Sequence, residues 1–133
     1  MILVDTCVLL DVVTRTPGWV KWSEDRLAFW SMLGPLAINA IVFAEFCAAY
    51  NELPEVERAV HAMALQRLSI PDEALFLASQ AHRAYRRRGG NKATVLPDFL
   101  IGAHAAVARI PILTRDPRRF TRYFAGLEVV CPN

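Results

Sequence analysis

Short, fully apolar runs alternate with longer segments of helical periodicity along the whole chain. Runs of this kind are typical of strands that are buried on both faces of a parallel sheet. The predicted strands cover residues 2–4, 36–38, 68–70, 111–114 and 127–130. Helical spacing bounded by Gly and Pro predicts helices over 20–33, 40–50, from Pro54 onward, 72–88 and 98–109, with a helical or loop-like segment over 6–14 and a single helical turn within 116–123. The segment 91–97 has no regular pattern.

This alternation predicts one α/β domain over residues 1–133, a three-layer α/β/α sandwich with a central parallel sheet. A chain of 133 residues with 54% hydrophobic residues is long enough to bury one continuous core and too short for two. No apolar stretch reaches the roughly 18 residues of a membrane span. The N-terminal segment lacks a basic region and a cleavage site, so we expect a cytoplasmic protein with no membrane contact.

The three cysteines, Cys7, Cys47 and Cys131, are an odd number without CxxC spacing. A disulfide framework or a zinc site needs paired cysteines, so we expect three small buried thiols instead.

Positive charge is concentrated in the second half of the chain. Residues 67–133 hold eleven basic and five acidic side chains, whereas residues 1–66 hold four basic and eight acidic ones. Arginines interleaved with aromatic residues are typical of surfaces that bind a phosphate-rich partner. The candidate contacts are Arg86, Arg87, Arg88, Arg115, Arg118 and Arg119. Taken alone, each cluster is explained equally well as a solvated helix end or a surface turn.

Four acids keep apolar company: Asp5 ends an apolar run, Glu45 and Asp98 lie in apolar helical patterns, and Asp116 lies in a turn after a strand. Each has a simpler explanation. Asp5 and Asp98 suit helix N-caps, Asp116 before Pro117 suits a turn, and Glu45 could pair with an arginine. The neighbours of Glu45 at helical spacing are apolar, which predicts a carboxylate emerging from a core-facing stripe.

Together, however, the four acids indicate one shared cation site. Ligands gather beyond the carboxyl ends of parallel strands, where Asp5 and Asp116 are predicted to lie. Small residues after Asp98, among them Gly102, allow that helix to approach the sheet closely and bring Asp98 towards Asp5. Carboxylates without His or Cys partners suit Mg²⁺ or Mn²⁺, and such sites usually serve phosphoryl chemistry. His104 lies roughly 120° around the helix from Asp98 and is expected to be a packed or surface histidine.

In chain order the sequence contains the segments VDTCVLLD, INAIVFAEF, LPDFLIGAHA and ILTRDPRRF. In this order and at this chain length, they resemble a PIN domain, specifically a VapC-type ribonuclease toxin of a bacterial toxin–antitoxin pair. The resemblance covers nearly the whole chain. It implies a metal-dependent endoribonuclease with a parallel sheet flanked by helices, a homodimer, and a cognate antitoxin that blocks the site.

The same resemblance assigns roles to the acids. It implies that Asp5 and Asp98 are the most dependable Mg²⁺ ligands, that Glu45 is a ligand or orients a water, and that Asp116 is a more peripheral fourth carboxylate. All four would then be catalytic residues.

It further implies that Thr6 and Thr114 hydrogen-bond the acids or their waters. Cys7 departs from the Asn or Ser that is frequent at its position in such proteins. This departure puts one supporting hydrogen bond in doubt, but not the metal site.

The leading hypothesis is therefore cleavage of single-stranded or structured RNA by a metal-activated water, which leaves a 3′-hydroxyl and a 5′-phosphate and would inhibit translation. One rival is a non-catalytic PIN-like module that binds nucleic acid or protein, in which the acids form structural ion pairs. Another is a metal-dependent DNA nuclease or phosphatase, which would share the site but not the substrate.

Overall fold

A computed structural model describes residues 1–90 and 95–133; residues 91–94, part of the segment without a regular pattern, lie outside this range. Five strands form one sheet in which every paired neighbour is parallel. They are β1 (Ile2–Val4), β2 (Leu36–Ile38), β3 (Leu65–Arg67), β4 (Ile112–Leu113) and β5 (Val129–Val130), in the spatial order β3-β2-β1-β4-β5. The sheet order reverses direction at β1, which has β2 on one side and β4 on the other.

Seven helices lie within the described ranges. They are α1 (Thr6–Val13), α2 (Val20–Leu33), α3 (Ala40–Cys47), α4 (Leu53–Ala62), α5 (Asp72–Arg87), α6 (Leu96–Ala108) and α7 (Arg118–Tyr123). The predicted α/β fold with a central parallel sheet is thereby confirmed. None of the helices in the described part of the chain is long and apolar enough to cross a membrane.

The central strands are buried on both faces, as their composition predicts. All three residues of β1 and both residues of β4 are buried. Helices therefore cover both sides of the sheet, and polar side chains can reach the sheet only at the strand ends. Because β1 and β4 are parallel neighbours, the acids that follow them lie at the same edge of the sheet.

Several predicted boundaries are wrong. The strands β4 and β5 are two residues long, shorter than the predicted 111–114 and 127–130. β3 runs over 65–67 and not 68–70, because it is an edge strand in which Gln66 and Arg67 are exposed. The helix α3 ends at Cys47, before the predicted residue 50. Asp98 is not an N-cap: Val95 precedes α6, so Asp98 lies in the first turn, where a negative charge interacts favourably with the helix dipole.

Candidate functional site

All four predicted acids line one cavity of about 530 Å³. Asp5 follows β1 directly, and Asp116 follows the neighbouring strand β4. Glu45 reaches the cavity from α3, which follows β2, and Asp98 reaches it from the first turn of α6. Strands that are parallel and adjacent end at the same edge, which is why acids far apart in the sequence meet there.

Asp5 is the most enclosed of the four acids, with 7% of its surface exposed. It is the N-cap of α1, where one carboxylate oxygen accepts a hydrogen bond from the Thr6 backbone at 2.8 Å. The other oxygen, Oδ2, accepts from the Thr114 hydroxyl at 2.7 Å. Burial raises the pKa of Asp5, against the hydrogen bonds that favour its charged form. Within the described residues no Lys, Arg or His forms an ion pair with Asp5.

Cys7 replaces the Asn or Ser expected from the resemblance, and the supporting hydrogen bond was therefore in doubt. The cysteine does supply a hydrogen bond, although a weak one. Its Sγ donates to Asp5 Oδ2 at 3.4 Å and lies 3.6 Å from Thr114 Oγ1. Burial raises the pKa of the Cys7 thiol to about 12, so it stays protonated and able to donate. Cys7 and the other two cysteines are free thiols, but all three are only partly buried, which corrects the expectation of full burial.

Glu45 accepts a hydrogen bond from the Thr6 hydroxyl at 2.6 Å. It is half-buried, and the next turn of its helix does not face the core, because Ala48 and Ala49 are exposed. The predicted core-facing stripe is therefore wrong at this end of α3. Within the described residues, Glu45 has no arginine partner. Its carboxylate lies at the cavity wall with its second oxygen available.

Asp98 is paired with a cation from its own chain. Arg119 Nη1 of α7 donates to Asp98 Oδ2 at 2.9 Å. Burial, together with the negative charges of Asp5 and Glu45, raises the pKa of Asp98 to about 6, even though Arg119 opposes this. The charges of Asp5 and Glu45 therefore both reach Asp98.

Asp116 is exposed and differs from the other three. The guanidinium of Arg118 donates to both of its oxygens, at 3.1 and 3.2 Å. These hydrogen bonds hold the pKa of Asp116 below its usual range. Asp116 also raises the pKa of Asp5 through its charge, which places the two acids within electrostatic reach of each other.

The donor set fits a hard divalent cation in its chemistry, since it consists of carboxylate and hydroxyl oxygens. Among the described residues, Asp5 accepts hydrogen bonds from neutral donors, and a buried carboxylate of this kind also fits a cation. The side chains are not arranged as a finished coordination site. Within 1–90 and 95–133, no three His, Cys, Asp or Glu side chains form a group that could hold a metal ion. Asp98 and Asp116 are instead turned towards Arg119 and Arg118.

The six candidate arginines do not line a single cavity. Arg115 and Arg119 line the acidic cavity. Arg118 and Arg119 line an adjoining cavity of about 240 Å³ together with two tyrosines, one of which, Tyr123, lies under Arg88 at 5.5 Å from the ring centroid. Arg86 and Arg87 line a further cavity of about 460 Å³ on α5. Only Arg119 is shared between the acidic cavity and the tyrosine-lined one.

Sequence reasoning missed one acid. Asp11 of α1 is fully buried, and its Oδ2 accepts from Arg115 Nε at 2.8 Å and from the Ser23 hydroxyl at 2.8 Å. The available signal was an acid six residues after Asp5 within the apolar run that forms α1.

His104 is buried and hydrogen-bonded to Asn39 at 3.1 Å, in agreement with a packed histidine. Asn39 is in turn the N-cap of α3. This pair therefore fixes α3, and with it Glu45, against α6.

The raised pKa of Asp98 predicts a pH-dependent stability. The group titrates at about 6 in the folded protein and near 3.8 when unperturbed, so the folded state binds more protons between these values. In EDTA, its contribution is most favourable below pH 4 and falls as the pH rises through 6. We expect the melting temperature of Asp98→Asn, relative to the unchanged protein, to rise by a few degrees between pH 4 and 7.5. The effect is small because 34% of the side chain is exposed. A difference that is flat with pH would contradict this assignment.

Comparison with known proteins gives one family and a set of similar structures. The family model of the PIN domain matches residues 2–124. No curated protein sequence matches the chain. A toxin–antitoxin complex from Klebsiella pneumoniae contains a chain with 24% identity and a TM-score of 0.71, over 100% of this chain and 98% of that one. VapBC2 from Rickettsia felis bound to a promoter DNA fragment gives 16% identity and a TM-score of 0.74 over all of both chains. DNA-bound VapBC from Salmonella typhimurium gives 19% and 0.70 over 97% of each.

Proposed function

Because the chain belongs to the PIN domain family, we propose that it is the VapC-type toxin of a toxin–antitoxin pair and cleaves RNA with the help of Mg²⁺ or Mn²⁺. The observation that carries this proposal is Asp5. A carboxylate that is 7% exposed, surrounded by neutral donors and facing a cavity with three more acids, is stabilised by binding a cation there. Asp5, Glu45 and Asp98 would hold the ion, and Asp116 would contribute from the periphery.

The chain's own residues prepare this site for hydrolysis of a phosphodiester. A bound divalent ion would polarise a phosphate oxygen and lower the pKa of the attacking water. Thr114 and Cys7 hold the Asp5 carboxylate, and Thr6 holds that of Glu45. In this proposal the second oxygen of Glu45, which receives no hydrogen bond from a described residue, would accept the proton of the attacking water. The water oxygen would form a new bond to phosphorus while the bond to the 3′-oxygen breaks, and the 3′-oxygen would take a proton from solvent, which gives a 3′-hydroxyl and a 5′-phosphate.

The proposed partners follow from the same family assignment. Solved relatives in fold are toxin–antitoxin complexes, which supports a cognate antitoxin for this chain. A homodimer and a cytoplasmic location belong to the same proposal. Arg86, Arg87, Arg88, Arg115, Arg118 and Arg119 remain candidate contacts to the RNA backbone.

One observation favours a non-catalytic module instead. Asp98 and Asp116 are both in ion pairs with arginines, as a structural role for the acids would require. Ion pairs of this exposure contribute little to stability, however, and among residues 1–90 and 95–133 no cation pairs with Asp5 or Glu45. A divalent ion that binds all the acids would therefore replace weak pairs by stronger ones.

The test is cleavage of total cellular RNA by the purified, antitoxin-free protein with Mn²⁺ or Mg²⁺. We expect discrete RNA fragments that disappear with EDTA and in the Asp5→Ala variant. Asp25→Ala is the matched control, because Asp25 is exposed on α2, pairs with Lys21 and does not line the acidic cavity. Single-stranded DNA and a phosphomonoester, offered alongside RNA, distinguish a DNA nuclease or phosphatase.

Thermal unfolding of the same proteins gives an independent result. Mn²⁺ should raise the melting temperature of the unchanged protein and of Asp25→Ala, but not that of Asp5→Ala. Intact RNA together with no stabilisation by Mn²⁺ would reject the nuclease in favour of the binding module.

A further inference from the structure

Asp11 is a fully buried acid that does not line the acidic cavity. A single oxygen, Oδ2, accepts both of its hydrogen bonds, from Ser23 of α2 and from Arg115 after β4. The other oxygen, Oδ1, is buried and has no partner in the described residues. Burial of a carboxylate is unfavourable unless a cation compensates it, and Arg115 is the only cation paired with Asp11 in that part of the chain.

Arg115 connects this buried acid to the cavity. Its Nε donates to Asp11, its Cζ lies 5.3 Å from the centroid of the Trp19 ring, and its side chain is 31% exposed at the cavity wall. One edge and one face of the guanidinium are thus held. Its Nη1 and Nη2 donate no hydrogen bond to any described residue.

The other cavity arginine is used differently. Arg119 is neutralised by Asp98, and Asp116, the neighbour of Arg115 in sequence, is paired with Arg118. The terminal nitrogens of Arg115 therefore have no carboxylate of the cavity as a partner. A guanidinium with a fixed plane and two free terminal nitrogens matches the two oxygens of a phosphate.

We propose that Asp11 is a positioning residue that holds Arg115 at the cavity wall, so that the terminal nitrogens of Arg115 bind a backbone phosphate of the RNA. Asp11 does not itself contact the RNA. This role rests on the proposed function, because it needs RNA to enter the acidic cavity. Since the guanidinium is already ordered, little side-chain entropy is lost when the phosphate binds.

A purely structural role for Asp11 would be to join α1, α2 and the loop after β4. Ser23 separates the two roles, because it donates to the same Oδ2 and forms no hydrogen bond with Arg115. Ser23→Ala removes a hydrogen bond from the buried acid and leaves the ion pair. It is the matched control for Asp11→Asn, which keeps the shape of the side chain and loses its charge.

The experiment measures binding of a fluorescent single-stranded RNA of mixed sequence, with Mg²⁺, to the full chain carrying Asp98→Asn to prevent cleavage. We expect Arg115→Gln and Asp11→Asn each to weaken binding about tenfold, and to reduce the slope of log K against log[KCl] by about 0.7, the value for one lost phosphate contact. The double variant should bind no more weakly than Arg115→Gln alone. Ser23→Ala should leave the slope unchanged.

Two results would overturn the positioning role: an unchanged salt slope in folded Asp11→Asn, or losses of affinity that add in the double variant. If Asp11→Asn does not fold, Arg115→Lys keeps a charge beside Asp11 but lacks the planar fork, and the same loss of slope is expected. Absence of RNA binding by every protein would overturn the proposed function as well, whereas binding insensitive to these changes overturns the positioning role alone.

Discussion

Asp98→Asn is expected to slow RNA cleavage by about a hundredfold or more, the usual result of removing one charged group that stabilises a reacting phosphate. The charges of Asp5 and Glu45 both act on Asp98, so a cation beside Asp98 would interact favourably with all three carboxylates. Asn keeps the size of the side chain but contributes no negative charge. Cleavage of a defined RNA in Mn²⁺, followed by gel electrophoresis, measures the loss.

The control for this variant is Asp116→Asn, on the same cavity. Asp116 is exposed and lies at the periphery of the cavity, whereas Asp98 is partly buried beside Asp5 and Glu45, so we expect a smaller loss of activity. Circular dichroism should show both variants folded, because neither acid is an N-cap and neither is fully buried. If Asp98→Asn cleaves RNA at the rate of the unchanged protein, Asp98 is not part of the catalytic site.

The convergence of the acids on one candidate site could be predicted from the sequence, because two of them follow neighbouring strand ends. The apolar runs that become β1 and β4 are buried in the centre of the sheet, and Asp5 and Asp116 follow them at the same edge. Glu45 and Asp98 were harder to place. Both acids lie within helices and not at strand ends, Glu45 in α3 and Asp98 in α6, yet both line the same cavity.

The partners of the acids could not be predicted in the same way. Arg119 lies 21 residues from Asp98, and Arg115 lies 104 residues from Asp11. Arginine side chains are long and flexible, and the hydrophobic periodicity of the sequence does not indicate where the guanidinium group lies. The edge strand β3 was misplaced for a related reason: Gln66 and Arg67 are exposed there, so the apolar signal lay a few residues later.

Gly102 shows what sequence suggested correctly and what it did not. The small residues of α6 predicted that this helix would pack closely against the sheet. At Gly102 the close neighbours are two phenylalanines from α7 and its end: a Cβ there would lie 2.5 Å from the ring of Phe124 and 2.9 Å from that of Phe120. Both rings are buried and cannot move into solvent.

Gly102→Val should therefore lower the free energy of unfolding by about 3 kcal/mol and the melting temperature by about 10 °C. Replacing a glycine inside a helix normally stabilises it by up to about 1 kcal/mol, so the sign alone identifies the clash. Urea unfolding measures the loss.

Phe124→Leu is the partner in a double-mutant cycle, because a smaller side chain should relieve part of the clash that Gly102→Val creates. Additive losses would show that Phe124 is not the obstacle. Since α7 also carries Arg119, displacement of this helix should weaken the Arg119 contact with Asp98 and so link the packing of α6 to the charge balance of the cavity.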